Sequence, residues 1–528
     1  MVDRVLQPLP LGSSEFSTLR QCGEIYVDKT DLINEICRNR GKFFLTRPRR
    51  FGKSLLVSTM ASLFRHGLRD FEGLAIESLW KDKTYDVVRL DFSEIADFDS
   101  VEEFRHLLSR YVASKFEAVG FSGQLDSWFI GLSNWLDDVP GNSLVLLIDE
   151  YDAPLVARLE DAKAFDEIQK TLRSFFSKIK SHEGCLRFFF MTGITKLSNT
   201  GIFSVFNNFT DISWSGRFST LLGYTEEEIK SSFSEHLQHA CAALDMSQAK
   251  LLAELRAHYN GFCFDENART RVFNPWSVLS FFSDPQRGFK NYWYQTGGQP
   301  SVLRHYLALH NLESPAHYDE PRGAPMADLR STIEYASITL DALLVQTGYL
   351  TVKRVLMPDY VEIGYPNEEV ARSFAQLYAE ALLSKTTPIA VGLPRLNRAL
   401  SLGNFDDVLD IFNRTFTAID YDRYPIRDEF ACRAFLQVLL IGAVMMPQVE
   451  VHNAHGRSDL EVTAGNIHWV FEIKFARSSD DVEKLTTAAE EQIKNRRYGE
   501  VPDEKRLVRA VLVFSEPERR FTAAQLVD

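Results

Sequence analysis

The sequence predicts an α/β protein with a doubly wound parallel sheet near the amino end, a mainly helical middle region and a smaller α/β unit near the carboxyl end. Three observations support this prediction. Short apolar runs alternate with helical stretches over the first half of the chain, amphipathic helical stretches dominate the middle, and a helix, a hairpin, a second helix and a strand succeed one another near the end. A chain of 528 residues should hold about three domains, which we expect at residues 1–285, 286–415 and 416–528.

The composition narrows the class of protein. A hydrophobic fraction of 45% is typical of a soluble globular protein. A net charge of -13 argues against general coating of nucleic acid, but it does not exclude a local basic groove near Lys494 and Arg496. The six cysteines form no CxxC pair, which disfavours a zinc ribbon and a disulfide framework. The amino end does not resemble a signal peptide, and the longest apolar run, 434–446, is too short to span a bilayer. We therefore expect a cytoplasmic protein with no membrane partner, and a homo-oligomer stays open.

The first motif is "TRPRRFGKSLL", which follows a short apolar run and precedes a helical stretch at 55–64. Backbone N–H groups at a helix start bind phosphates, a lysine in this position reaches the β and γ phosphates, and the serine hydroxyl ligates magnesium. The full motif has glycine where this chain has Arg47, and the arginines of the loop fit either phosphate contact or a solvated basic turn. The predicted nucleotide-binding residues of this stretch are Arg47, Pro48, Arg49, Arg50, Phe51, Gly52, Lys53, Ser54 and Leu55.

The second motif is "SLVLLIDEYDAP", an apolar run that ends in Asp149 and Glu150. Such a run fits a central parallel strand, and carboxylates at its carboxyl end face the ligand crevice. Asp149 is predicted to hold the magnesium shell and Glu150 to polarise the attacking water. A third strand, "LRFFFMTGITKLSN", ends near Thr192, a candidate sensor of the γ phosphate, while 87–92 and 101–119 supply a further strand and helix.

These stretches carry a resemblance to a known family. "LTRPRRFGKSLL", "LLIDEYDAPL" and "MTGITKLSNTGIFSVFNNFTDIS", in this order, resemble the AAA-ATPase-like family of bacterial P-loop proteins, as do "YNGFCF" and "VFNPWSVLSFF". Members of this family also commonly lack the first glycine of the loop. The resemblance implies a P-loop NTPase fold over roughly residues 8–300 and ATP as the ligand.

The middle of the chain is mainly helical, with amphipathic stretches at 371–383 and 405–416. "GYLTVKRV" and "YVEIGYPN" form a strand-like insertion, and no catalytic constellation is evident. Trp293 and Tyr294 fit core packing better than base stacking. "NYWYQTGGQPSVL" and "GYPNEEV" again look like the same family, whose members join the ATPase to a carboxyl-terminal nuclease.

Near the carboxyl end, "RSDLEVTA" and "IHWVFEIKF" flank a Gly-Asn pair that suits a two-residue hairpin turn. Counting outward from the turn pairs Asp459 with Glu472, so two carboxylates stand about 5 Å apart at Cβ. Glu472 and Lys474 share one strand face, while Trp469 and Phe471 share the packed face.

A divalent cation between the facing carboxylates removes their repulsion, and an all-oxygen site favours Mg²⁺ or Mn²⁺. Lys474 then orients the nucleophilic water or stabilises charge on a phosphate oxygen. The alternative is a surface hairpin with incidental charges, and a shift of one residue in register would turn Asp459 to the wrong face.

The order helix, hairpin with Asp then Glu-x-Lys, helix and strand over residues 420–525 resembles the PD-(D/E)XK nuclease fold, a restriction-endonuclease-like α/β domain. The resemblance assigns Asp459, Glu472 and Lys474 to the catalytic triplet and Glu429 to the helix acid that completes the metal shell. Gln492 and Tyr498 resemble residues that some relatives carry on the next helix.

The leading hypothesis is an ATP-controlled, Mg²⁺- or Mn²⁺-dependent nuclease acting on DNA, and analogy suggests phage defence. The alternative is a nucleotide-controlled binding switch with an inactive nuclease fold.

Overall fold

The chain, described by a computed structural model, forms two compact units. The first unit contains described residues up to 303 and from 321 to Val370, and the second contains those from Ala371 onward. The three-domain division expected above stays a prediction. The structure describes residues 6–123, 129–159, 161–196, 209–295, 303, 321–330, 339–383, 389–419, 421, 425–443, 445, 447–453, 456–478, 480–499 and 505–527.

A five-stranded parallel sheet forms the centre of the first unit, in the order β2-β3-β4-β1-β5. The strands are Lys42–Thr46 (β1), Asp86–Asp91 (β2), Leu144–Asp149 (β3), Leu186–Gly193 (β4) and Thr210–Asp211 (β5). Every residue of β3 is buried, because helices cover a parallel sheet on both faces. This sheet confirms the predicted α/β class.

Helices surround this sheet and extend the first unit beyond it. They are Phe16–Gln21 (α1), Thr30–Cys37 (α2), Lys53–His66 (α3), Val101–Glu117 (α4), Ile130–Asp138 (α5), Ala153–Val156 (α6), Ala162–Ser181 (α7), Glu226–Ser232 (α8), Ser234–Leu244 (α9), Gln248–Tyr259 (α10), Pro275–Ser283 (α11) and Tyr292–Gln295 (α12). Side-chain caps fix several of their starts: Ser100 accepts a hydrogen bond from the Glu103 N–H, and Asp161 from the Ala164 N–H.

A small antiparallel sheet completes the first unit, in the order β6-β8-β7. Its strands are Arg322–Pro325 (β6), Thr351–Met357 (β7) and Tyr360–Gly364 (β8), accompanied by helices Met326–Arg330 (α13) and Leu340–Thr347 (α14). The two predicted strand segments are β7 and β8. Trp293 lies in the core of this unit with its ring 5.0 Å from that of Tyr349, as the packing interpretation predicts. The side chain of Tyr294 and residues 197–208 lie outside the described part.

The second unit contains a five-stranded mixed sheet, in the order β13-β12-β11-β10-β9. Its strands are Gln448–Asn453 (β9), Gly456–Ala464 (β10), Ile467–Ala476 (β11), Arg506–Ser515 (β12) and Arg520–Val527 (β13). Its helices are Glu368–Leu383 (α15, which begins in the first unit), Ile389–Leu402 (α16), Phe405–Ala418 (α17), Glu429–Gly442 (α18) and Val482–Arg496 (α19).

The predicted layout of the second unit is right in its central elements and wrong at its edges. β12 is not the final strand, because β13 pairs with it in antiparallel fashion, and β9 pairs with β10 on the opposite side. Both missed strands lie at the edge of the sheet. Edge strands are half solvated, and β13 alternates buried with exposed positions too irregularly to give a strong strand pattern.

Both faces of this sheet are covered, which refines the expectation of one packed face. On one face, the Trp469 indole donates to the carbonyl of Leu400 in α16, and the Phe471 ring lies 6.0 Å from that of Phe412 in α17. On the other face, Val470 belongs to a core that includes Ile493 of α19. The face that carries Glu472 and Lys474 is therefore largely withdrawn from water.

No described helix combines the length and apolar character needed to cross a bilayer. The expected cytoplasmic location stays a prediction.

Gly261, in the "YNGFCF" stretch, offers a test of the packing of the first unit. Its φ is +98°, and an added Cβ would lie 2.1 Å from the carbonyl oxygen of Pro366. We expect Gly261→Ala to lower the free energy of unfolding by more than about 2 kcal/mol, since a left-handed conformation alone costs about 1–2 kcal/mol. Urea denaturation followed by tryptophan fluorescence measures this change.

Gly120→Ala is the matched control for this prediction. Gly120 has nearly the same φ, +99°, but an added Cβ meets no heavy atom within 4 Å. It should carry only the conformational cost. Equal losses in the two variants would contradict the close approach of Pro366.

Candidate functional site

The "TRPRRFGKSLL" stretch forms a loop between β1 and α3. Two of its residues have left-handed backbone conformations, Arg50 with φ +69° and Gly52 with φ +85°. Gly52 precedes the first residue of α3, which is Lys53. The loop thus ends at the positive end of a helix dipole, where the first backbone N–H groups of the helix can bind an anion.

The Lys53 side chain is buried inside the loop. Its Nζ donates to the carbonyl oxygens of Arg47 and Pro48, each at 3.1 Å. Burial lowers the pKa of Lys53, and the nearby carboxylates of Glu150, Asp149 and Asp152 oppose this shift. A phosphate can replace these two carbonyl oxygens as the hydrogen-bond partner of the Lys53 ammonium.

The predicted loop residues divide into two groups. Arg49, Arg50, Gly52, Lys53, Ser54 and Leu55 line one cavity of about 600 Å³. The Arg47 guanidinium instead donates to the carbonyl oxygens of Ser213 and Phe218 and is only 1% exposed. Phe51 packs its ring against Phe262. This burial argues against phosphate contact by the side chain of Arg47, and the same holds for Pro48, which lies against Gly348.

The carboxyl ends of the parallel strands bring the predicted polar residues to the same edge as the loop. Asp149 ends β3, and Thr192 is the penultimate residue of the adjacent β4. Both side chains are fully buried, and Asp149 Oδ2 and Thr192 Oγ1 have no hydrogen-bond partner among the described residues. Buried polar atoms are nearly always satisfied, so these two atoms call for a partner such as water, a cation or a phosphate.

Burial also sets the charge state of the carboxylates. It raises the pKa of Asp149, against the effect of a hydrogen bond from Ser54 and the charge of Lys53. It likewise raises the pKa of Glu150, which lines the cavity in a left-handed conformation with φ +47°. Both groups would gain from a nearby cation, because a positive charge favours the ionised form.

The sequence reasoning missed Asp152, whose charge acts on Lys53, and several residues that line the cavity. Asp152 is fully buried, and its Oδ2 accepts hydrogen bonds from the N–H and hydroxyl of Thr195 at 2.8 and 2.9 Å. It thereby joins the turn after β3 to the end of β4. Its signal in the sequence was the third acid of "DEYD". The cavity is further lined by Pro10, Leu11, Gly12, Ser13, Ser14, Tyr224, Pro275, Trp276 and Leu279.

The hairpin of the second unit has the predicted register. Ala464 pairs with Ile467 across the Gly465–Asn466 turn, and the pairing runs to Leu460 and Phe471. The next residues outward are Asp459 and Glu472, and the charge of Asp459 acts on the Glu472 carboxyl group. Asp459 Oδ2 accepts a hydrogen bond of 2.8 Å from the backbone N–H of Ile473, which fixes its carboxylate beside β11.

Lys474 contacts two of the three predicted acids of this site. Its Nζ lies 2.8 Å from Glu472 Oε1 and 3.5 Å from Glu429 Oε1. Glu429 is the first residue of α18, whose start is capped by Asp428 through the Ala431 N–H. All four residues that the resemblance singled out, Asp459, Glu472, Lys474 and Glu429, thus lie around one position.

The protonation of this group reflects its burial. Desolvation, and then the charge of Asp459, raise the pKa of Glu472 to about 7. Burial alone would lower the pKa of Lys474, but the carboxylates of Glu472, Glu429 and Asp459 outweigh it and raise the pKa. The site holds more negative than positive charge in little water, and an added cation would stabilise it.

Neighbouring side chains support the same sheet face. Gln492 and Arg496 of α19 donate to the hydroxyl of the buried Tyr498, at 3.3 and 3.1 Å. His468 forms a 3.0 Å hydrogen bond between its Nε2 and Glu461 Oε2. Glu461 also accepts from the hydroxyl of Ser458 at 2.7 Å. Alternation along β10 contained a signal for Glu461, whose partners are Ser458 of the same strand and His468 of β11.

The residues present fit a divalent cation held by few protein ligands. No three His, Cys, Asp or Glu side chains form a ready metal cage within the described ranges. Glu472 Oε2 is nonetheless buried and has no hydrogen-bond partner in the described chain, and the charge of Asp459 raises the pKa of this carboxyl group. Mg²⁺ commonly binds proteins through one or two carboxylates and keeps several waters. An oxygen pair of this kind suits Mg²⁺ or Mn²⁺ better than zinc.

Comparison with known proteins agrees with this geometry. Residues 10–203 match the family model of a predicted AAA-ATPase, and residues 428–523 match that of the PD-(D/E)XK nuclease superfamily. A protein of Azotobacter chroococcum mcd 1, described as "Uncharacterized protein in vnfD 5'region", is 30% identical over 513 residues, which cover 93% of each chain.

The first match contains the phosphate-binding loop and the strand ends with Asp149 and Thr192, and the second contains Glu429, Asp459, Glu472 and Lys474. The chain therefore belongs to the AAA-ATPase-like family of P-loop proteins that carry a carboxyl-terminal PD-(D/E)XK nuclease domain.

Proposed function

We propose that this protein binds ATP in the cavity of its first unit and uses the site of its second unit to hydrolyse phosphodiester bonds in DNA, with Mg²⁺ or Mn²⁺. The two domains suggest nucleotide binding and nuclease chemistry in general. The observation that carries the finer proposal is the convergence of Asp459, Glu472 and Glu429 around the Lys474 ammonium.

The proposed nucleotide chemistry follows from the lining of the cavity. The N–H groups at the start of α3 and the Lys53 ammonium bind the phosphates of ATP, while Ser54 and Asp149 hold its magnesium. Glu150, at the cavity wall, accepts a proton from the attacking water if ATP is hydrolysed. Thr192 donates its hydroxyl toward the γ phosphate.

The proposed nuclease chemistry assigns a role to each side chain. Asp459 and Glu472 hold the divalent ion, and Glu429 extends this acidic set. The ion supplies Lewis acidity and lowers the pKa of a bound water. Lys474 exchanges its contact with Glu472 for the phosphate, where its charge stabilises the oxygen that becomes negative. The Asp459 carboxylate is kept in orientation by the Ile473 N–H.

A second candidate function is a nucleotide-controlled binding switch in which the nuclease fold binds DNA without cutting it. The close Glu472–Lys474 ion pair favours this candidate, because an internal cation already compensates the carboxylate. Phage defence stays a proposal by analogy under either function.

Glu472→Gln tests the nuclease proposal. The change removes a charged ligand and keeps the shape of the side chain, so we expect manganese-dependent cleavage of plasmid DNA to fall at least about 100-fold. Glu461→Gln is the control: this carboxyl is also buried, lies on the neighbouring β10 and bonds to His468. Full cleavage by Glu472→Gln would show that the site is misassigned. Tight DNA binding without cleavage by the wild type would favour the switch.

Lys53→Met tests the nucleotide site by calorimetric titration with Mg-ATP. Loss of the ammonium should weaken binding at least about tenfold, as expected for a charged hydrogen bond to phosphate worth about 1.5–3 kcal/mol. Lys42→Met is the matched control, because Lys42 lies at the opposite end of β1 and pairs with Glu183. Equal affinities of the wild type and Lys53→Met would contradict the proposed phosphate site.

Stability should depend on pH through Glu472. Its folded pKa is about 7, whereas an unfolded glutamate has a pKa of about 4.3. Between these values the folded chain binds more protons, so its stability falls as pH rises. In metal-free buffer, the wild type should lose stability relative to Glu472→Gln between about pH 4.5 and 7.5, and Mg²⁺ should reduce this loss. Denaturant titrations at several pH values measure it, and parallel pH profiles would contradict the burial of this charge.

A further inference from the structure

The nucleotide cavity has apolar lining residues that the phosphate-binding loop does not supply. Gly52, Lys53 and Glu150 belong to its polar lining. The apolar lining comes from the amino-terminal segment, from the residue before the Thr225 cap of α8 and from α11, and includes Pro10, Leu11, Tyr224, Pro275, Trp276 and Leu279. A cavity with both charged and apolar lining matches a nucleoside triphosphate, which has charged phosphates and an apolar base.

Trp276 is held in place by the start of α11. Asn274 caps this helix by accepting a 3.1 Å hydrogen bond from the Ser277 N–H, and its own N–H bonds to the Tyr259 carbonyl oxygen at 3.0 Å. Pro275 opens the helix, where its fixed φ is favourable. The "NPW" stretch, noted above only as part of a family resemblance, therefore fixes an indole at the cavity wall.

One face of the Trp276 ring is covered by a residue of the phosphate-binding loop. The Arg50 guanidinium lies 4.6 Å from the ring centroid, and Arg50 also lines the cavity. The indole Nε1 of Trp276 is buried without a hydrogen-bond acceptor among the described residues. A planar cation on an aromatic ring occupies the same kind of surface that a planar nucleobase would occupy.

We propose that Trp276 provides the stacking surface for the purine base of the bound nucleotide and that Arg50 leaves this ring to contact the phosphates when the nucleotide enters. The inference rests on the proposed ATP site and specifies how that site recognises its ligand. Leu279 and Leu11 flank the base. The phosphate-binding loop and the "NPW" helix then sense opposite ends of the same molecule.

A second apolar cavity beside the loop is the competing position for the base. Leu222 and Tyr26 belong to its lining, and its volume is about 70 Å³. Ligand pockets usually measure about 300 Å³ or more, so this space favours side-chain packing over a purine. The Trp276 side belongs to the larger cavity of about 600 Å³, which also contains the phosphate-binding residues.

The test separates the base from the phosphates. The full chain and its variants are titrated calorimetrically with Mg-ATP and, separately, with magnesium tripolyphosphate, which lacks base and sugar. Trp276→Ala should weaken ATP binding by about five- to 150-fold, the range for loss of one stacked base. Its affinity for tripolyphosphate should equal that of the wild type. The ATP affinity of Trp276→Phe should lie between those of the wild type and Trp276→Ala. Leu222→Ala, in the smaller cavity, should bind both ligands as the wild type does.

Arg50→Gly tests the stacking role independently, because this change leaves the sequence of α11 intact. Glycine tolerates the left-handed conformation of Arg50 at φ +69°, so the loop should keep its shape. With the Trp276 ring uncovered, adenosine should bind more tightly than to the wild type, and tripolyphosphate more weakly. A loss of adenosine affinity in this variant would overturn the exchange of Arg50 for the base.

Each failure has a distinct signature. If the wild type binds neither ATP nor tripolyphosphate, the proposed nucleotide site is wrong, and this inference falls with it. If the wild type binds ATP and Trp276→Ala binds it equally well, only the stacking role is overturned. The same conclusion follows if Trp276→Ala loses as much affinity for tripolyphosphate as for ATP. A selective loss of ATP in Leu222→Ala alone would assign the base to the smaller cavity.

Discussion

The chemistry of the second unit depends on one electrostatic constraint: a carboxylate without solvent exposure, Glu472, needs a positive charge beside it. The Lys474 ammonium supplies that charge at 2.8 Å, and Asp459 opposes it from the neighbouring strand. Because most residues of β11 are buried, little water screens these charges. Burial makes the acidic site unfavourable without a cation, and it also strengthens the attraction of the site for a cation.

A related electrostatic constraint acts in the first unit, at the edge of its parallel sheet. Asp149 and Glu150 follow a strand that is buried throughout, and burial raises the pKa of both. Their charges are compensated by Lys53 of the adjacent loop, which now bonds to loop carbonyl oxygens. In each unit, the charge of a lysine thus compensates the charges of nearby acids. An incoming phosphate and cation would replace these contacts between the lysine and its neighbours.

Much of this arrangement could be predicted, because local patterns determine it. The apolar run before Asp149 predicted a buried parallel strand, and the Gly465–Asn466 turn fixed the register that brings Asp459 opposite Glu472. The edge strand β13 could not be recognised, since a half-solvated strand needs no regular apolar pattern. Arg47 was expected among the nucleotide-binding residues, but whether a loop arginine turns outward or inward depends on acceptors such as the Ser213 carbonyl, far along the chain.

The sequence by itself determined the chemical inventory of this protein: a GKS loop, an acidic strand end, and a hairpin with Asp and Glu-x-Lys. These signals are local, because turn type and side-chain alternation act over a few residues. Only the tertiary structure decided which side chains lose water and which distant segments meet. It joined Trp276 to the cavity of Lys53 and Glu429 to Lys474, since desolvation and contact arise from the packing of elements remote in sequence.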